Sequence, residues 1–155
     1  MKDIKKITSF TVDHTKLREG MYISRVDGDV TTFDLRTRVP NTGDYMDYST
    51  MHTFEHLFAT YIRNGEIGEN VIYFGPMGCQ TGFYLLTRDL APETVRNATV
   101  SALCQIVAHT GEVFGNSAVE CGNHKTLDLK AGQTEAERYL AVLLTRKDHD
   151  FSYEG

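Results

Sequence analysis

Two histidines and a glutamate share one stretch, His52-Thr53-Phe54-Glu55-His56, inside a run of apolar residues at helical spacing from Met51 to Ile62. On a helix advancing about 100° and 1.5 Å per residue, His52 and His56 stand about 40° apart and about 6 Å along the axis. Two ring nitrogens can then converge on one ion. Glu55 lies on the neighbouring edge, about 60° from His52. A working transition-metal centre needs three protein ligands and an open position, supplied by neutral imidazoles and, where present, a thiolate. In Cys121-Gly122-Asn123-His124 a thiol and an imidazole sit three residues apart, and either can be the third ligand; His52, His56 and Cys121 make a complete set. Two satisfied core histidines are the plain alternative, and the i, i+4 spacing with a carboxylate between them weighs against it. An ion with an open position acts as a Lewis acid on a carbonyl oxygen or activates water. Glu55 beside it is placed to be a general acid or base.

A second reactive group is Cys79, in Gly75-Pro76-Met77-Gly78-Cys79-Gln80-Thr81-Gly82, where three glycines and a proline force sharp backbone turns around one thiol. It is either a small residue filling a turn or, with its pKa lowered by an ion or a cation, an acid–base group. Read locally, the other candidates are bland. His14 sits in a loop after Asp13. Asp34, Arg36 and Arg38 form the polar face of a strand, ordinarily solvated. Cys104 lies among Ala102, Leu103 and Ile106 as a buried structural thiol. His109 complements a helix C-terminus.

The elements that must position these groups follow from periodicity. Thr8–Val12 reads as a short strand. Met21–Val26 and Val30–Val39 flank Asp27-Gly28-Asp29 as an antiparallel hairpin, with Phe33, Leu35 and Val39 on one face. The central helix starts near Ser49 as its cap and ends at Asn64-Gly65. Val71–Phe74 and Phe83–Thr87 read as strands on either side of the Cys79 loop. Pro92 opens a second helix with Val95, Thr99, Ala102, Leu103 and Ile106 inward, stopped by Gly111. Thr134-x-x-Glu137 is a capping box for a last helix whose stripe is Ala136, Tyr139, Leu140, Leu143 and Leu144. The tail from Arg146 to Gly155, His149 included, is expected to fray.

The 155 residues, 41% hydrophobic, suit one globular domain over 1–155 with a sizeable core. Sixteen Lys plus Arg against twenty-one Asp plus Glu leave a net charge of -5 and no basic patch, which argues against a nucleic-acid partner. No apolar run reaches the roughly 18 residues of a membrane span. The lysine-containing start leads into no signal-peptide hydrophobic segment. Three cysteines at scattered spacings fit reduced thiols, and the expected location is cytoplasmic.

Three ordered motifs, His52-x-x-Glu55-His56, the Gly75–Gly82 loop around Cys79, and Cys121-Gly122, together with Ser9-Phe10-Thr11-Val12-Asp13-His14, Phe33-Asp34-Leu35-Arg36 and Pro40-Asn41, resemble the S-ribosylhomocysteine lyase (LuxS) family over nearly the whole chain. The resemblance implies an α+β fold, an antiparallel β-sheet backed by helices, in a homodimer with active sites at the subunit interface. It implies Fe(II), replaceable by zinc or cobalt, on His52, His56 and Cys121, with Cys79 and Glu55 as the acid–base pair. Ser9, His14 and Arg36 correspond to positions near the substrate. The implied reaction turns S-ribosylhomocysteine into homocysteine and 4,5-dihydroxy-2,3-pentanedione, the autoinducer-2 precursor, a step shared by the methyl cycle and quorum sensing. One departure is Tyr73, where many members carry Asp six residues before the thiol; a neutral phenol does not supply a carboxylate's charge at pH 7.

Two other readings make different demands on the same residues. In an inverted-motif metallopeptidase, for which His-x-x-Glu-His is the signature, Glu55 activates metal-bound water. A downstream Glu such as Glu120 is then the third ligand and Cys79 is dispensable. In a non-catalytic metal-stabilised module, Cys121 and His124 together close a four-ligand site and leave no room for substrate.

Overall fold

Residues 3–146 and 150–153 are described by the structure, a computed structural model. Two hairpins build its sheet. Strand β1 (Gly20–Asp27) pairs with β2 (Val30–Arg36) through the two-residue Gly28-Asp29 loop, where Gly28 at φ 61 takes the left-handed conformation such a loop requires. Strand β3 (Val71–Pro76) pairs with β4 (Gly82–Arg88). The hairpins join through β2 and β4, giving the antiparallel order β1-β2-β4-β3. In the 77–81 loop the left-handed residue is Gln80 (φ 64) and not a glycine. Its carbonyl accepts from the Met46 amide and its side-chain amide donates to the Met46 carbonyl, which tie the loop to the segment entering the central helix.

That helix, α1 (Tyr48–Arg63), begins two residues earlier than Ser49 can cap it. Asp47 is the cap and accepts from the Thr50 amide at 2.8 Å, while the Ser49 hydroxyl donates to the Thr126 carbonyl. The buried face of α1 meets the sheet through aromatic rings: Phe54 on Phe83 at 4.7 Å, Phe58 on Phe74 at 4.5 Å. Phe33, Leu35, Phe83 and Leu85 complete the sheet's side of this core. Helices α2 (Pro92–Ala108) and α3 (Leu129–Thr145) close the other side with Val95, Leu103, Ile106, Ala136, Tyr139 and Leu143. Gly132 lets α3 press on α1, since a Cβ there would come within 2.6 Å of the Thr53 methyl. The result is the expected α+β arrangement, a four-stranded antiparallel sheet backed by three helices. None of the helices among the described residues is long and apolar enough to cross a membrane.

Several expectations give way. Thr8–Phe10 is a single 3-10 turn and not a strand, because the Thr11 hydroxyl bonds back to the Thr8 carbonyl and closes the backbone locally. α3 starts at Leu129 under an Asp128 cap, so Thr134 is mid-helix with its hydroxyl on the Lys130 carbonyl. Cys104 is exposed, standing about 180° around α2 from Val95. Leu144 is exposed as well. The polar face of β2 is not solvated: Asp34 is 1% and Arg36 2% exposed. Part of what covers it is the supposed frayed tail. The Phe151 carbonyl accepts from the Ile23 amide, the Phe151 ring packs edge-on to Phe33, and Tyr153 reaches Asp34. His149 lies outside the described residues. Tyr73 is half exposed on β3, its phenol lying over Gly75 so closely that any Cβ there would overlap it.

Candidate metal centre and thiol pocket

The second and third turns of α1 carry His52 and His56 toward the loop that follows α2, and that loop returns Cys121 to them. One ligand atom from each of the three lies within 4.8 Å of the others. The Cys121 Sγ is 3.4 Å from His52 Nε2, and the two imidazoles meet edge to face at 4.6 Å. Tautomers follow from the hydrogen bonds. His56 Nδ1 is 2.7 Å from the Phe114 carbonyl, an acceptor only, so Nδ1 carries the proton. His52 Nδ1 is 2.7 Å from the Thr126 hydroxyl, whose own proton goes to the Asn123 carbonyl, so Nδ1 is again the donor. Both Nε2 lone pairs are left for an ion, the arrangement in which the second nitrogen's partner fixes a metal-binding imidazole. Burial, then the neighbouring His56, pushes the His52 pKa down and favours the neutral form a metal requires. Gly115 at φ 71 lets the backbone pass His56; a Cβ there would stand 3.1 Å from Nδ1. The donor set, two imidazoles and a thiolate, fits a borderline or soft divalent ion with a position left open.

Neither rival ligand joins the group. The Glu120 carboxylate accepts from the Ser117 hydroxyl at 2.7 Å, and His124 Nδ1 lies 3.4 Å from the Asn116 side chain. Among the described residues the only His, Cys, Asp and Glu side chains that converge in a group of three or more are His52, His56 and Cys121. Glu55 is half-buried one position before His56; burial raises its carboxyl above the ordinary range, and the nearby His56 partly opposes this.

The thiol sits elsewhere on the chain. Cys79 is exposed at the mouth of a cavity of about 680 Å³ lined by Ser9, His14, Arg36, Thr81 and Tyr84 among others. Its Sγ is 3.0 Å from the Thr81 hydroxyl. Arg36 Nη1 donates to that hydroxyl at 2.8 Å and stands 3.8 Å from the sulfur. His14 is held at Nδ1, 2.9 Å from the Val12 carbonyl. The cavity thus gathers Ser9, His14, Arg36 and Cys79, and is lined by none of His52, His56, Cys121 or Glu55. Local reading missed Asp34, whose carboxylate forks onto Arg36, although opposite charges two apart on one strand face are a signal for such a pair. It also missed Thr126 and Phe114, which orient the imidazoles and carry no mark in the sequence.

Comparison with known proteins adds an independent finding. A family model described as S-Ribosylhomocysteinase (LuxS) matches residues 7–150. The chain is 45% identical to the S-ribosylhomocysteine lyase of Desulfotalea psychrophila over 147 residues, 91% of this chain and 92% of that one. It is 40% identical to the S-ribosylhomocysteine lyase of Borreliella burgdorferi strain ZS7 over 156 residues, 97% and 99% of the two chains. It is 42% identical to that of Clostridium acetobutylicum over 149 residues, 90% and 92%.

Proposed function

The chain belongs to the S-ribosylhomocysteinase (LuxS) family, and from that premise we propose that it is a carbon–sulfur lyase. It cleaves S-ribosylhomocysteine to homocysteine and 4,5-dihydroxy-2,3-pentanedione. The observation that carries this reading is the convergence of His52, His56 and Cys121 with both Nε2 atoms open, beside a half-buried carboxylate. A divalent ion held there supplies Lewis-acid polarisation of the sugar's carbonyl and hydroxyl oxygens. Fe(II) is the ion we assign to the set, with zinc or cobalt able to take the same ligands.

Cys79 moves protons between adjacent carbons of the open-chain sugar, taking one from carbon and returning it to the next, so that the carbonyl passes from C1 to C2 and then to C3. Arg36, 3.8 Å from the sulfur, sets a fixed positive charge beside the thiol that shuttles the proton. With the ketone at C3, the Glu55 carboxylate removes the C4 proton. The electron pair forms the C4–C5 double bond and expels homocysteine thiolate from C5, and the resulting enol tautomerises to the diketone. Ser9, His14 and Arg36 line the Cys79 cavity and are assigned to substrate binding. The peptidase reading is not favoured, because Glu120 is engaged by Ser117 away from the ligand group.

Two further assignments complete the reading. The active unit is a homodimer, supported by the exclusion of every metal-ligating residue from the lining of the Cys79 cavity and by the exposed Phe10 and Tyr45 at its rim. The three free thiols suit the reducing cytoplasm. Anaerobic thiol release from S-ribosylhomocysteine by Fe(II)-loaded protein tests the function. Release by wild type, absent in a chelated sample and in Cys79→Ala with its metal retained, is the expected result. Normal turnover by Cys79→Ala would remove the shuttle assignment. Glu55→Gln should keep the metal and fail at elimination.

A further inference from the structure

The Arg36 guanidinium that faces Cys79 is itself held from behind. Its Nε donates to Asp34 Oδ1 at 3.1 Å and its Nη2 to Oδ2 at 2.6 Å, a fork between two residues of one strand. That fork uses one edge of the guanidinium and turns Nη1 toward Thr81 and the thiol. Burial opposes the charge of Arg36, but the Asp34 carboxylate, helped by Cys79 and Tyr153, outweighs it, so the guanidinium's pKa is raised. The fork works only while the carboxylate plane is fixed. Tyr153 fixes it: its hydroxyl donates to Asp34 Oδ2 at 2.8 Å. Burial first, then the Asp34 charge, drives the phenol's pKa far up, so the hydroxyl keeps the proton it donates.

The tyrosine is in turn held by its own segment. The Phe151 carbonyl accepts from the Ile23 amide at 2.8 Å, and the Phe151 ring is buried edge-on to Phe33. The Tyr153 ring stacks on Tyr22 at 5.0 Å and 18°. The hydroxyl is therefore delivered to Asp34 by backbone pairing and two ring contacts, none of which involves the metal ligands.

We propose that Tyr153 and Asp34 are positioning residues for the reaction: the C-terminal segment locks the Asp34 carboxylate, which aims Arg36 at the Cys79 thiol. Removing the phenol hydroxyl frees the carboxylate to turn and leaves its charge less compensated beside Arg36. Both changes weaken the positive field that Arg36 presents to the Cys79 sulfur. His14 and Tyr84 face the same cavity and are unaltered by that substitution. The functional consequence rests on the shuttle role assigned to Cys79 above, but the clamp itself can be read without turnover.

Iodoacetamide labelling of Cys79 in zinc-loaded protein, located by mass mapping so that Cys104 does not count, is the experiment. Tyr153→Phe keeps the stacked ring and removes one hydrogen bond. Its labelling at neutral pH should slow about three- to tenfold, the worth of one such bond, with the pH–rate profile displaced to higher pH. Its kcat should fall by a similar factor at unchanged metal content. In an Asp34→Asn background the same substitution should slow labelling no further, because the hydroxyl acts through the carboxylate. Wild-type labelling rate and pH profile in Tyr153→Phe would overturn the proposal, and this comparison decides the matter even if Asp34→Asn does not fold. The turnover of Cys79→Ala separately reads the shuttle, so failure of one leaves the other standing.

Discussion

Gly115 shows how a residue with no reactive group sets the orientation of the His56 imidazole. Its φ of 71 turns the chain so that the preceding carbonyl, that of Phe114, meets His56 Nδ1, and its missing side chain makes room for the imidazole. Gly115→Ala forces both a left-handed alanine and a displaced ring. We expect metal affinity to fall about tenfold or more, the scale seen when a ligand's outer partner is lost, with the fold retained. Competition with a chelator in zinc-loaded protein measures this, and unchanged affinity would show that the close approach is incidental. At this scale the sequence was legible where chemistry depends on local spacing. His52, His56 and Glu55 are read from one helical turn, while spacing alone leaves Cys121 and His124 both open as the third partner, and the fold brings Cys121 to the pair. Asp34 was not legible as part of the site. Alternation along β2 says which face it shares with Arg36, but whether that face meets water depends on a segment more than a hundred residues away.

At the scale of elements, the helix that carries His52 and His56 is set in place by its ends as much as by its apolar face. Asp47 caps α1 five residues before His52. The Thr50 amide, then its hydroxyl, holds the Asp47 carboxyl below the ordinary 3.8. A carboxyl whose folded-state pKa lies below its unfolded one stabilises fully above the unfolded value, and that contribution disappears as pH falls through the folded value. Asp47→Ala should therefore cost about 1 kcal/mol near neutral pH. The gap to wild type should narrow as pH drops below 3.8. Urea unfolding at two pH values tests it, and a gap that persists in acid would point to packing instead of the charged cap. Periodicity located all three helices because each buries a continuous stripe. It misplaced the starts of α1 and α3 because several polar residues near each end can cap, and the backbone path decides which one does.

At the scale of the whole molecule, the sheet order β1-β2-β4-β3 joins two hairpins edge to edge, a pairing that strand patterns do not specify, since either edge of a hairpin offers the same alternation. That order places Arg36 on β2 directly opposite Gly82 on β4, and so next to the Cys79 loop, while α1 carries His52 and His56. Within one chain the cavity that holds Cys79 and the His52, His56, Cys121 group share no residue. If a homodimer completes each site with the thiol of one subunit and the metal of its partner, two inactive variants can repair each other. Cys79→Ala retains the metal ligands and lacks the thiol; His56→Ala retains the thiol and lacks a ligand. In a mixed dimer one site receives both defects and the other receives neither. Unfolding and refolding an equal mixture distributes subunits at random, so about half the dimers are mixed and about a quarter of all sites are intact. Thiol release should recover to about a quarter of the wild-type rate, where each variant alone gives none. No recovery, with mixed dimers demonstrated by differential tagging, would place thiol and metal of each working site in the same chain.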